Sequence, residues 1–311
     1  MLETGDTVGF AGYFREFFRN DALSGFWAEG DMFADFLHQR WWRKRLRADL
    51  MDRQMAVWRE AFPETSFSEL AAPDIGSPWG YEIGGYTVYE PACEYHLQAG
   101  LFGPWLSRLD KPVVLEIGGG FGGLAYFLKK RCPHVRYIGL DLPENVALQT
   151  YYLAKAFPDA RVLSYSATDT VIDEATWKDF DIVLLPNFML PQIASASVDL
   201  VINVRSLSEM PAETIAEYLL QIDRVGRMLF FHENLYRTRS GPLHGIPSVH
   251  FPRMRNFVGV FSSDSRWPRY GYDSGYPCRE HLLLHYDGSF GSLSGDGPDR
   301  SRSNLEVLNG N

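Results

Sequence analysis

Three scarcities bound what this 311-residue chain can be. It has only three cysteines, Cys93, Cys132 and Cys278, widely spaced and without a C-x-x-C pair. Such spacing indicates neither a disulfide framework nor a zinc site, and free thiols fit a reducing cytoplasm. No apolar run approaches the length of a membrane-spanning helix, and Met1 to Phe10 carries acids with no basic stretch ahead of an apolar one. Positive charge is also short: 30 Lys and Arg against 39 Asp and Glu give a net charge of −9, which disfavours a nucleic-acid partner. The one basic cluster, Arg40 to Arg47, is interleaved with Trp41, Trp42 and Leu46 and reads as a helix with a solvated face. A soluble, cytoplasmic protein with a small-molecule partner is the expectation.

Glycine is abundant, and it is concentrated where it carries information. Val113 to Ile117 is a short apolar run, Gly118 to Gly123 is almost all glycine, and Leu124 to Lys130 is helix-forming. The order is strand, tight turn, helix. Gly118, Gly120 and Gly122 clear the backbone for a ligand, and the helix that follows aims unpaired N–H groups into the turn. Two patterns overlap here. Gly118, Gly120 and Gly123 satisfy G-x-G-x-x-G, which suits the pyrophosphate of a dinucleotide. Glu116, Gly118, Gly120 and Gly122 satisfy E-x-G-x-G-x-G, in which a carboxylate engages an ammonium, and S-adenosylmethionine carries an ammonium where a dinucleotide carries phosphate. Asp141 ends the next strand and offers two acceptor oxygens to a ribose diol in either case. Glu116 is therefore the discriminating residue, and no second mononucleotide half is recognisable.

The run Val114 to Gly122, then Tyr137 to Glu144 with Tyr151-Tyr152-Leu153, then Asp181 to Asn187 and Val198 to Asn203 through Ser206-Leu207-Ser208-Glu209-Met210, resembles the sugar O-methyltransferases of the class I S-adenosylmethionine-dependent superfamily. The resemblance covers residues 75 to 285. It implies an α/β fold with a Rossmann-like class I methyltransferase sheet, mostly parallel with an antiparallel C-terminal strand, and S-adenosylmethionine as cofactor. It also implies that Tyr95 and His96, on the helix ahead of the glycine strand, line the methionine end. Glu116, Gly118, Gly120, Gly122, Asp141, Leu142, Pro186, Asn187, Asn203 and Ser206 complete the implied cofactor set, with Asn187 at the adenine edge and Asn203 and Ser206 beside the sulfonium. Packing of Tyr95 and His96 against the sheet is an equally good reading of those two residues.

In chain order, residues 1–74 form an N-terminal helical region, with a short helix around Tyr13 to Arg19 and amphipathic helices from Asp31 to Phe62. This region covers the cofactor domain, caps the acceptor site or forms a dimer face. Residues 75–286 are the methyltransferase-like domain. It opens with a hairpin turning at Gly84-Gly85 and a helix from Pro91 to Ser107, and continues in alternating strands and helices. Its fifth strand is Gly226 to Phe231, and its last two are Asn256 to Phe261 and Arg279 to Tyr286. The Gly/Ser/Asp-rich tail, residues 287–311, reads as disordered.

A sugar hydroxyl needs a base for methyl transfer. Glu209, after the fourth strand, and His232, at the end of the fifth, are the catalytic candidates, with His preferred because its ordinary pKa lies near working pH. Ser206-x-x-Glu209 also matches a capping box, a purely structural role. His244 and His250 are weaker candidates, and His281 and His285 share one strand face and pack there or face solvent. Glu209, Glu233 and Asn234 could gather oxygens for a metal, but no acidic doublet marks such a site and none is assigned. The aromatic loop from Ser262 to Cys278 suits a sugar, a flat ring or a subunit contact. Transfer to an amine or to a non-sugar hydroxyl, and a non-catalytic cofactor-binding partner, stand as alternatives.

Overall fold

The computed structural model describes residues 7–20, 37–38, 40–166, 177–236, 245–265 and 278–286. The tail from residue 287, most of the aromatic loop (266–277) and His244 lie outside the described residues.

Helix α1 spans Thr7–Arg15 and is followed by a 3-10 turn at Phe17–Arg19, so the first helix lies earlier than the sequence suggests. Helix α2 is Trp41–Ala61, and it ends just ahead of Pro63. Strands β1 (Tyr81–Ile83) and β2 (Tyr86–Val88) form the expected hairpin, with Gly84 and Gly85 both at positive φ as a tight primed turn requires. Helix α3 is Ala92–Leu106.

The main sheet then builds from β3 (Val113–Ile117), α4 (Gly123–Arg131), β4 (Arg136–Asp141), α5 (Pro143–Ala156), β5 (Val162–Ser164), β6 (Ile182–Pro186) and β7 (Val198–Val204). Helix α6 (Ala212–Val225) leads into β8 (Gly226–Leu235), and β9 (Phe257–Asp264) and β10 (Cys278–His285) close it. The spatial order is β5-β6-β4-β3-β7-β8-β10-β9. β10 runs antiparallel to both its neighbours and the pairs from β5 to β8 are parallel, which makes the sheet Rossmann-like and mostly parallel. β3 lies centrally, with β4 on one side and β7 on the other. That is the switch point at which ligands of open α/β sheets bind.

Burial explains the apolar strands. β3 and β6 are buried along their whole length, as parallel strands covered on both faces are. One face packs Leu115, Val183 and Val201 against Ile215, Leu219 and Ile222 of α6. On the other face Val114, Phe121, Leu124 and Tyr152 share one buried cluster with Phe14, Phe17, Phe18, Met51, Trp58 and Leu70. The hydrophobic core thus runs across the boundary expected at residue 74. Phe18 N–H donates to Gly76 O at 3.0 Å, and the Phe17 ring occupies the space a Gly76 side chain would need. Among the described residues no helix is long and apolar enough to cross a membrane.

β8 extends through His232, Glu233 and Asn234 to Leu235, beyond the Phe231 end expected from the sequence. Pairing with β10 carries it: His232 faces His281, Glu233 faces Glu280 and Asn234 faces Arg279. Local preference for strand is weak in Glu and Asn, and tertiary pairing overrides it.

Candidate functional site

The glycine turn sits on the carboxyl end of β3. Gly118, Gly120 and Gly122 have φ of 76°, 58° and 94°, and Gly122 is the residue from which α4 starts. A side chain at Gly118 would collide with the Ser206 hydroxyl, and one at Gly123 with the Tyr95 ring. The turn is therefore held between the loop after β7 and helix α3.

Two acids flank the turn. Glu116 is buried, and its Oε2 accepts the Tyr137 hydroxyl at 2.6 Å. Burial pushes its carboxyl up to about 7; the Tyr137 bond opposes the shift and the Asp141 charge adds to it. Gly139 lies opposite Glu116 in the strand register, and the Gln149 amide fills the space its side chain would need. Asp141 is 8% exposed and accepts four donors. Oδ1 takes the Leu142 N–H at 2.7 Å and Asn145 Nδ2 at 2.7 Å; Oδ2 takes the Gly120 N–H at 2.8 Å and Gln149 Nε2 at 3.4 Å. Burial raises its carboxyl and these bonds oppose the rise, in the order Asn145, Leu142, Gly120. Tyr137, Asn145 and Gln149 escape a motif reading because strand and helix geometry, not adjacent sequence, brings them to the acids.

Further along the carboxyl edge, Pro186 pairs with Asp141, and burial raises the Tyr218 hydroxyl of α6 while Asn187 beside it lowers it. Leu142 and Phe188 are exposed apolar side chains at the ends of β4 and β6, with Tyr165 edge-on to Phe188 at 5.6 Å. Phe188 was not singled out in the sequence; an aromatic directly after a strand-ending Pro-Asn was the available signal.

On the β7 side the polar groups satisfy one another. Asn203 is fully buried and donates to Ile117 O at 2.9 Å and Ser206 Oγ at 2.6 Å. Its Oδ1 accepts Asn234 Nδ2 at 2.8 Å, while Asn234 Oδ1 accepts the Ser208 N–H at 3.1 Å and its hydroxyl at 3.2 Å. The network joins β8 to the loop after β7 and, through the Ile117 carbonyl, to the glycine turn. Ser206 makes no side-chain cap: its hydroxyl donates to Ile117 O at 3.2 Å, and α6 begins only after Pro211. The capping-box alternative is thus corrected. Glu209 ends the 3-10 turn Leu207–Glu209 and stands at the surface. Desolvation by its surroundings raises its carboxyl and the Arg205 charge lowers it.

The two histidines given site roles from the sequence, His96 and His232, make their contacts away from the turn. His96 is buried, its Nδ1 accepts Trp58 Nε1 at 3.1 Å, and it sits edge-on to Phe62 at 4.8 Å. Burial first, then the Arg131 charge, lowers it to about 4. Consecutive helix positions project about 100° apart, so Tyr95 rests on the turn while His96 anchors α2. His232 lies inside β8, which runs on to Leu235, and not at its end. It stacks on His281 at 4.6 Å, and its Nδ1 meets Asn234 Nδ2 at 3.4 Å. Burial, then His281, lowers it to about 3, so it is a weak proton acceptor. His250 is exposed, ending the turn Ser248–His250. Glu233 and Asn234 alternate across β8, so their side chains point to opposite faces. Among the described residues no three His, Cys, Asp or Glu side chains gather as metal ligands.

No family model matches the chain, and no curated protein matches it. Solved structures that align with it include methyltransferases of varied substrates. A provisionally named sarcosine dimethylglycine methyltransferase from Galdieria sulphuraria aligns at a TM-score of 0.45 and 12% identity, over 62% of this chain and 86% of that one. The magnesium protoporphyrin IX methyltransferase of Synechocystis PCC 6803, with bound SAH, aligns at 0.41 and 12% identity, over 78% and 98%. Mitomycin 7-O-methyltransferase aligns at 0.38 and 13% identity, over 61% and 54%.

Proposed function

We propose that the chain is an S-adenosylmethionine-dependent methyltransferase that acts on a hydroxyl of a sugar or glycosylated small molecule. The observation that carries the cofactor is the pair of buried acids at the glycine turn. Asp141 already takes the Gly120 N–H that a pyrophosphate would need, and Glu116 adds a second carboxyl, so phosphate is repelled and an ammonium attracted. The residues fit that cofactor. Glu116 would face its ammonium, and Asp141 its ribose diol, a hydroxyl displacing the long Gln149 contact. Leu142, Pro186, Asn187 and Phe188 would border the adenine, and Tyr95 would close over the turn. Asn203 and Ser206 would act by shaping the turn, since their polar atoms bond Ile117 O.

The bound cofactor supplies an activated methyl group. The chain's share is to orient the acceptor and take its proton, and that role falls to Glu209 in preference to the enclosed, weakly basic His232. A hydroxyl of a sugar as acceptor is supported by the likeness of Asp141-Leu142-Pro143-Glu144 and of Ser206 to Met210 to sugar O-methyltransferases. The test is calorimetric titration with S-adenosylmethionine, S-adenosylhomocysteine and NAD(H), in wild type and in the Glu116→Ala, Asp141→Ala double variant. Micromolar binding of the first two, lost in the variant, is expected. Binding of NAD(H) alone would overturn the proposal.

A further inference from the structure

Arg205 has a left-handed backbone, φ 70°, where β7 gives way to the 207–209 turn. A side chain disfavours that conformation, and it persists where the surroundings over-determine it. Two contacts do so here. The Arg205 N–H donates to Glu233 O at 2.6 Å, and its guanidinium reaches Glu94 Oε1 at 3.1 Å. Glu94 lies in the first turn of α3, directly before Tyr95, and its side chain is 4% exposed against 29% for Arg205. Gln98, one turn further along, donates to the same oxygen at 3.4 Å. Along the chain, Arg205 lies between the end of β7 and the Leu207–Glu209 turn, so Glu209 follows four residues later in the same loop. One guanidinium thus bonds the loop that carries Glu209 to the helix that rests on the glycine turn.

We propose that Arg205 is a positioning residue that ties the start of α3 to the end of β7, fixing Tyr95 and Glu209 relative to the glycine turn. Its value to catalysis rests on the methyltransferase reading; the tie itself does not. A buried carboxylate held by a guanidinium across 111 residues of chain is a strut between the two segments, and removing Arg205 takes the guanidinium from a carboxylate that is 4% exposed. Lysine would keep the charge and lose the planar fork.

The test uses Arg205→Ala, Glu94→Gln, their double variant, Arg205→Lys and Arg205→Gly, each read by hydrogen exchange over residues 92–106, S-adenosylhomocysteine affinity and thermal melting. Each single change to Ala or Gln is expected to speed exchange in the first turns of α3 about tenfold and to weaken S-adenosylhomocysteine about tenfold, the double being no worse than the worse single. Arg205→Lys is expected to recover part of both. Arg205→Gly relieves the backbone, so it is expected to melt no lower than Arg205→Ala while binding as weakly. Wild-type exchange in Arg205→Ala, or single effects that multiply in the double variant, would overturn the tie. Wild-type protein that fails to bind S-adenosylhomocysteine would instead overturn the methyltransferase reading, and the exchange cycle, which needs no ligand, would still decide the tie.

Discussion

The two halves of the sheet's carboxyl edge bury polar groups for different ends. At β3 and β4, Glu116 and Asp141 are acids held in apolar surroundings, their charge only partly offset by Tyr137, Asn145, Gln149 and two backbone N–H groups. At β7 and β8, Asn203, Ser206, Ser208 and Asn234 are neutral and close on one another. The first half stores an electrostatic demand that a cationic ligand would relieve. The second is a scaffold that fixes the loop carrying Arg205 and Glu209. The acids beside the glycine turn thus carry the proposed cofactor site, whereas Asn203, Ser206, Ser208 and Asn234 in the same crevice support the loop.

The comparison breaks most visibly at Glu209. Glu209→Gln is expected to lower methyl transfer to a glycoside acceptor by about 10²–10⁴-fold while S-adenosylhomocysteine affinity stays within a few-fold; His232→Leu is expected to act through stability instead. Steady-state rates and calorimetry on both variants check this, and the reverse pattern would return the base to His232. Next in size, Asn234→Ala removes the acceptor of the Ser208 N–H and hydroxyl and leaves Asn203 Oδ1 only the Leu207 N–H at 3.4 Å, and it is expected to cost about 2–4 kcal/mol in denaturant unfolding. A loss under 1 kcal/mol would show the scaffold to be redundant.

The smallest effect sharpens the contrast. Glu116 has a folded pKa of about 7 against an ordinary 4.5, so the native state holds a proton that the unfolded chain releases between those values. Its contribution to stability is full below about pH 4.5 and is lost as pH rises through 7. Glu116→Gln keeps the Tyr137 bond and removes that loss. It is expected to raise ligand-free stability at pH 8 by on the order of 1–2 kcal/mol, with no gain at pH 4.5, in melts run at both values.

Much of the first half is legible in the sequence and little of the second. The apolar run, glycine turn and acid after the next strand are local patterns, and the parallel sheet follows from alternating elements. Tyr95 and His96 are adjacent in sequence, yet the helix turns one onto the glycine loop and the other onto Trp58, which no local signal separates. The Asn203 to Asn234 bond spans 31 residues, and the Arg205 to Glu94 bond 111. Pairing with β10 also draws His232 into the sheet, and the partner strand lies beyond residues 266–277 in the chain.

The most direct measurement of the central claim is S-adenosylhomocysteine affinity by calorimetry at pH 6 and pH 8, in wild type and Glu116→Gln. An ammonium bound by the Glu116 carboxylate requires that group ionised, so wild-type affinity should rise about tenfold between the two pH values as the group titrates near 7, and the variant should bind weakly at both. Affinity that is equal at both pH values and unchanged in the variant would contradict the assignment of Glu116 to a cationic ligand.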